Sequence, residues 1–293
     1  MKRLFLSDSL RWRRWALLGL ALWLAGCSVL TLAYNRASTL LYWRLDAWLD
    51  LTSEQATLAR SGLDQWHEWH RRAHLPRYAE ELRRWQALLP RDITPEDACA
   101  SFERVRGWAQ EAGDAAMPLA VRLAPTLTTA QIDHWARRLA EGDEEFRRDF
   151  FPTPQGGVAP KRLDRVIERT EMVYGRLTPE QRQWWRERLQ RSAFSPEQAL
   201  ADRQKRQAEW LATARKIVQG APAKESIEAA WQRSWQAEGA AVQAERARVW
   251  ADGCSQLAEW HNRTTPEQRR LAVQKLQTYE RDLLVLVGNG AGS

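Results

Sequence analysis

The chain has 3 Cys and 3 Met in 293 residues. It shows no G-x-S-x-G elbow, no P-loop, no Rossmann fingerprint and no H-E-x-x-H pair. Those gaps leave none of the common hydrolase, nucleotide or zinc-protease signatures to build on. No alternating apolar/polar run reads as a strand. Only one long apolar run occurs, "WALLGLALWL" near the N-terminus. It is short for a membrane span, which needs about 20 residues. Single-sign charge is scarce as well. Lys and Arg number 44 against 37 Asp and Glu, and residues 1–26 hold five of those bases and one acid. The remainder carries 39 against 36. Base is interleaved with acid at helical spacing, as in "EELRR" and "DEEFRRD", so the charge reads as solvated pairs. A nucleic-acid partner wants base gathered on one face and is not expected.

What is present starts at the N-terminus. Lys2, Arg3, Arg11, Arg13 and Arg14 precede the apolar run, which ends in "LAGC" at Cys27. Basic region, apolar stretch and small residues describe a signal segment over 1–26. "LAGC" resembles the lipobox of bacterial lipoproteins. That resemblance implies cleavage before Cys27, a covalent lipid on its thiol, and a lipid-anchored chain over 27–293. Ser28 follows, where inner-membrane retention usually uses Asp, so the expected address is the outer membrane, facing the periplasm. With Cys27 lipidated, Cys99 and Cys254 form an even pair in an exported chain. They are read either as one disulfide or as two separate buried thiols. No other cofactor is expected.

The rest of the chain has the helical period. "QIDHWARRLAEGDEEFRRDF" sets Ile132, Trp135, Leu139, Phe146 and Phe150 on one stripe. Residues 223–262 form one long amphipathic stretch, with Gly239 or Gly253 marking a kink. Turns are expected at 88–97, at 117–131 around a short helix, and at 219–226. "FPTPQGGVAP" (151–160) is the strongest break and reads as a mobile loop or as a boundary between two helical halves. The predicted fold is all-α: an irregular antiparallel bundle of about 8–10 helices, without a sheet.

One motif returns unevenly: "LTSEQ" at 51, "ITPED" at 93, "LTTAQ" at 127, "LTPEQ" at 177, "FSPEQ" at 194 and "TTPEQ" at 264. Ser or Thr at N-cap, Pro at the first helical position and Gln at N3 make a capping box. The motif predicts helix starts at Thr52, Thr94, Thr128, Thr178, Ser195 and Thr265. Leu-Thr-x-x-Gln also resembles the motif of the Spy/CpxP periplasmic helical proteins, which implies a chaperone or envelope-stress role. A broader pattern, "LAGCSVLTLAYNRASTLLYWRLDAWLDLTSEQ" followed by "WHEWHRRAHLPRYAEEL", resembles an uncharacterised family of proteobacterial lipoproteins known as a domain of unknown function. That likeness implies a helical exported lipoprotein and assigns no activity.

Three features bear on function. "WHEWHRRAH" places His67, His70 and His74 on one helical face. Imidazoles so spaced are candidate ligands for Zn²⁺ or Cu²⁺, with His134 or His261 as further donors; the alternative is histidines flanking a core face. Fourteen Trp lie beyond the signal, many beside Arg or Gln. They are expected to pack the core, with an aromatic binding groove as the alternative. The stretch after Cys27, rich in Tyr34, Tyr42, Trp43 and Trp48, reads as the first bundle helix or as an interfacial one. The functional expectation is a non-enzymatic binding or scaffold protein with an envelope partner. A Spy-like chaperone and a metal protein are the alternatives.

Overall fold

The computed structural model describes residues 29–153, 156–235 and 239–289. Cys27 and its lipidation lie outside the described residues. Among these residues the chain forms eleven α-helices: α1 (Val29–Asn35), α2 (Ala37–Leu49), α3 (Ser53–Leu88), α4 (Pro95–Leu123), α5 (Thr129–Phe150), α6 (Pro160–Tyr174), α7 (Pro179–Gln190), α8 (Pro196–Val218), α9 (Ala223–Trp235), α10 (Ala240–Asn262) and α11 (Pro266–Asn289). A 3₁₀ turn, Ala124–Thr126, links α4 to α5. The described residues hold no strand, only an isolated bridge between Thr153 and Gly156.

The fold is therefore an all-α multi-helix bundle, with slightly more helices than expected. Two stretches divide. The segment after residue 28 breaks at Arg36 into α1 and α2. The 223–262 stretch is two helices, and Gly239 sits at the N-cap of α10 with φ +86°, a conformation that favours glycine. One expected turn is absent: α4 runs through Pro118 to Leu123. Interior proline costs about 3 kcal/mol, and tertiary packing offsets it. Leu123 is buried. Leu119 lies so close to α3 that a Cβ added at Gly62 would sit 2.6 Å from its Cδ1.

At 36 residues, α3 is about 54 Å long and acts as the spine. α11 packs along it, α4 on another side, and α2 near its start. α10 packs on α4, α8 on α5, and α6 on both α7 and α11. Elements from either side of 151–160 thus interlock. Cys99 on α4 is joined to Cys254 on α10 across 155 residues, with Cα atoms 5.2 Å apart. The core divides into clusters; the largest gathers Leu89, Tyr174, Trp185, Leu189 and Trp260. Trp185 and Trp260 have ring centroids 5.3 Å apart. Of the fourteen tryptophans beyond residue 28, only Trp43 is exposed, so most serve packing.

The recurring motif caps helices at all six positions. Thr52, Thr128 and Thr178 each accept from the backbone amide of a Gln at N3, while that Gln's side chain accepts from the cap amide. Thr94 does the same with Asp97, Ser195 accepts from the Gln198 amide, and Thr265 exchanges both bonds with Gln268. Four of the glutamines do more: they pair. Gln131 Nε2 donates to Gln55 Oε1 at 2.7 Å, and Gln55 Nε2 donates back at 3.2 Å. Gln181 and Gln268 exchange the same two bonds at 2.8 and 2.9 Å. Each amide also donates to a backbone carbonyl of the partner's approach: Gln55 to Thr126, Gln131 to Asp50, Gln181 to Arg263 and Gln268 to Arg176. The start of α3 is thereby tied to that of α5, and the start of α7 to that of α11.

This arrangement needs glutamine. Its oxygen serves the cap amide while its nitrogen serves the partner, whereas glutamate has no donor. Gln131→Glu is expected to destabilise by about 2–3 kcal/mol, because a buried carboxylate would face the Gln55 oxygen and the Asp50 carbonyl. Gln198→Glu is expected to stay within about 0.5 kcal/mol of the parent, because that cap is exposed and its amide meets no second glutamine, only the exposed bond to Asp202. Denaturant melts of the two variants check the contrast, and equal midpoints would refute the pairing argument.

Candidate functional site

The three histidines do converge with aromatic rings, but not as a ligand set. The Tyr34 hydroxyl of α1 is hydrogen-bonded to His70 Nδ1 at 2.9 Å. His70 Nε2 lies 3.2 Å from the Tyr78 hydroxyl, which lies 3.3 Å from His74 Nδ1. The His70 and His74 rings stack with centroids 4.9 Å apart. His67 packs against Tyr34 at 4.7 Å. Both nitrogens of His70 are thus engaged by tyrosine hydroxyls. Among the described residues no three His, Cys, Asp or Glu side chains gather as a metal site. The further donors considered lie elsewhere: His134 Nε2 is 3.2 Å from the Ala47 carbonyl, and His261 sits between the Tyr174 hydroxyl and the Arg91 carbonyl. His70 thus has no free ring nitrogen for a metal, while the buried Nε2 atoms of His67 and His74 have no hydrogen-bond partner among the described residues. Burial, followed by the neighbouring imidazoles of His74 and His67, pushes the His70 pKa down to about 4. The cluster is a neutral, hydrogen-bonded seat for α1.

The open feature with binding character lies between α4, α8, α9 and α10. It is a groove of about 850 Å³. Phe102, Phe194, Trp235 and Trp250 supply its aromatic surface, and Arg106, Arg206 and Arg246 alternate with Glu103, Asp202 and Glu245 along it. Each wall has a local cause. Phe102 follows Cys99 by three residues and Trp250 precedes Cys254 by four, so the disulfide sets the two helices that carry them. Their rings meet edge to face at 5.8 Å, and the Arg106 guanidinium lies 5.5 Å from the Trp250 ring. Phe194 is held by the loop before α8. Asp252 accepts from the Ala193 amide at 2.8 Å and from the Ser192 hydroxyl at 3.1 Å, and it pairs with Arg188 at 2.7 Å. Burial pushes the Asp252 carboxyl up, but the bonds from Arg188 and Ala193 outweigh it and hold the carboxyl below its ordinary range.

α9 makes the remaining wall. Trp231 lies over Gly113 of α4, where an added Cβ would come 2.2 Å from the indole, and its Nε1 donates to Asp114 at 2.6 Å. Trp235 meets Trp231 edge to face at 5.2 Å. Trp235 lines both the groove and a second cavity of about 810 Å³ on the other flank of α9, beside Met117, Val121 and Trp231. Its buried Nε1 has no hydrogen-bond partner among the described residues. The Nε1 atoms of Trp185 and Trp260 in the core are in the same state.

The sequence pattern did not single out Phe102, Phe194 or Trp250. The available signal was the placement of Phe102 and Trp250 one helical turn from each cysteine, which mattered only once the two cysteines were joined.

Together these features define a class: an all-α bundle, cross-linked by one buried disulfide, with an open aromatic groove beside the cross-link. The family model described as "Family of unknown function (DUF6279)" matches residues 47–236, and the chain belongs to that family. No curated protein and no solved structure matches it. The matched segment stops before α10 and α11, yet those helices supply Cys254, Gln268, Trp250 and the packing along α3.

Proposed function

We propose that this chain is a lipid-tethered, non-enzymatic binding protein of the bacterial envelope, and that the groove between α4, α8, α9 and α10 holds an extended segment of a partner protein. The groove itself carries the reading. Four aromatic rings suit an apolar ligand, and three Arg with three acidic side chains in the same lining suit a polypeptide of mixed charge. The cleavage motif ending at Cys27 supports the tether and an address at the outer membrane, facing the periplasm. An exported compartment suits a buried disulfide. The chaperone alternative rested on the Leu-Thr-x-x-Gln copies, and their paired glutamines are occupied within the fold.

The test is photocrosslinking in cells from Gln198, an exposed position on the groove lip, with exposed Met172 on α6 as control. One discrete adduct from position 198 and none from 172 is the expected result. Trp250→Ala should weaken that capture by about tenfold or more, the loss that goes with an aromatic anchor of roughly 2 kcal/mol. A ladder of many adducts would favour the chaperone reading, and adducts from 172 alone would reject the groove.

A further inference from the structure

The large exposed apolar side chains are unevenly placed. Nine occur among the described residues, and six of them, Leu32, Leu40, Leu41, Trp43, Leu284 and Val285, lie on α1, α2 and the C-terminal end of α11. These elements adjoin. Leu30 and Tyr34 of α1 pack with Leu283 and Leu286 of α11 against Leu75 and Ala79 of α3. Arg71 of α3 donates to Asn35 at 3.0 Å and to the Leu286 carbonyl at 3.4 Å. α2 follows α1 after the single residue Arg36. On α2 the outward face reads Arg36, Leu40, Trp43, Arg44 and Ala47, all exposed, and no acid occurs between residues 29 and 45. Trp43 is 59% exposed and Leu32 63%.

We infer that this face of α1, α2 and the end of α11 lies in the headgroup region of the lipid bilayer. The inference rests on the tethered reading above. Its occupant follows from position: the face begins two residues after Cys27, where the chain leaves the membrane under that reading. No helix among the described residues is long and apolar enough to cross a membrane. The contact is therefore lateral, with Leu and Trp inserted and Arg36 and Arg44 reaching anionic headgroups. α1 is held to the body by the Tyr34–His70 bond and by Arg71, so it cannot turn its apolar side inward. The consequence is a fixed orientation of the bundle on the membrane in place of a freely swivelling tether.

The full lipidated chain, reconstituted in phosphatidylethanolamine–phosphatidylglycerol vesicles, tests this. With Cys27 acylated and the other two cysteines bridged, Leu40→Cys, Val285→Cys and Met172→Cys each add one thiol for an environment-sensitive fluorophore. Flotation with the vesicles reports the tether, and quenching by nitroxide-labelled lipid reports contact. Blue-shifted emission and loss of intensity at 40 and 285, but not at 172, are expected for a face about 5–10 Å into the headgroup boundary. Flotation without quenching at 40 and 285 would overturn the membrane face and leave the tether standing. Failure to float would overturn both.

Discussion

Replacing Cys99 and Cys254 together by alanine is expected to lower the unfolding free energy by about 2–5 kcal/mol, which corresponds to roughly 5–15 °C in Tm for a chain of this size. The size of the effect follows from where the bridge lies. It closes a loop of 155 residues, so it removes many conformations from the unfolded chain. Cys254 is completely buried, so the native state also loses packed sulfur atoms. At the far end of α10, Asn262 exchanges two hydrogen bonds with Ile93 just before α4, but near the cysteines the two helices are otherwise held by packing alone, and the Arg188–Asp252 pair lies on the opposite neighbour, α7. Because Phe102 and Trp250 flank the two cysteines, the same substitution should loosen the groove. The Trp250 environment should then become more mobile, and capture from position 198 should fall. Thermal melts of the oxidised protein, the fully reduced protein and the double-alanine variant measure the first effect. If reduction, verified by mass, leaves Tm unchanged, the bridge does not carry the stability assigned to it.

The helices were legible wherever a local rule was sufficient. A capping box needs only residues three apart, and so the starts at Thr52, Thr94, Thr128, Thr178, Ser195 and Thr265 could be read directly. Long-range use of the same residues was hidden. That Gln55 meets Gln131, and Gln181 meets Gln268, depends on tertiary approach over 76 and 87 residues. The only trace in the sequence was chemical: glutamine stands at N3 in each of these four copies, where glutamate would cap as well but could not donate. Pro118 misled in the other direction, because a proline signals a break locally while Leu119 and Leu123 hold α4 together through tertiary contact. The histidines were grouped correctly on one face, and their partners were not foreseeable. Tyr34 is 36 residues from His70, on a helix whose docking the local pattern left open between the bundle and the membrane. In the fold α1 and α2 pack on the body with one side and expose Leu32, Leu40 and Trp43 on the other.

Acid is expected to destabilise the fold well before its carboxylates are protonated. His70 is held neutral between Tyr34 and Tyr78: one ring nitrogen donates and the other accepts, so the chain Tyr34–His70–Tyr78–His74 is satisfied with donation running in either sense, whereas a charged His70 would need acceptors on both sides. Burial and the adjacent His74 and His67 rings oppose a charge there, so its pKa falls from 6.5 to about 4. Burial, with a contribution from Arg71, also lowers His67; burial lowers His74 and His261 against the opposing pull of Glu111 and of the Arg91 carbonyl respectively. A histidine with a depressed folded pKa binds fewer protons folded than unfolded, so its contribution is present at neutral pH. That contribution declines as pH falls below 6.5 and is gone below the folded pKa. For His70 alone the loss approaches 3 kcal/mol by about pH 4, and the other three act in the same direction. A separate window opens lower. Glu81, Asp143 and Asp252 have folded pKa values below the ordinary carboxylate range because bonds from Arg104, Arg203 and Arg188 outweigh burial, so their contribution is lost as pH falls further, through those values. Urea midpoints measured from pH 7.5 to 4 should therefore decline steadily from about pH 6.5, and His70→Gln, which keeps polar contact with the tyrosines but does not titrate, should flatten the upper part of that decline. Because Tyr34 anchors α1, hydrogen exchange should show α1 opening first. A flat midpoint down to pH 4.5, or the same slope in the His70→Gln protein, would mean that the His–Tyr cluster does not couple the fold to pH.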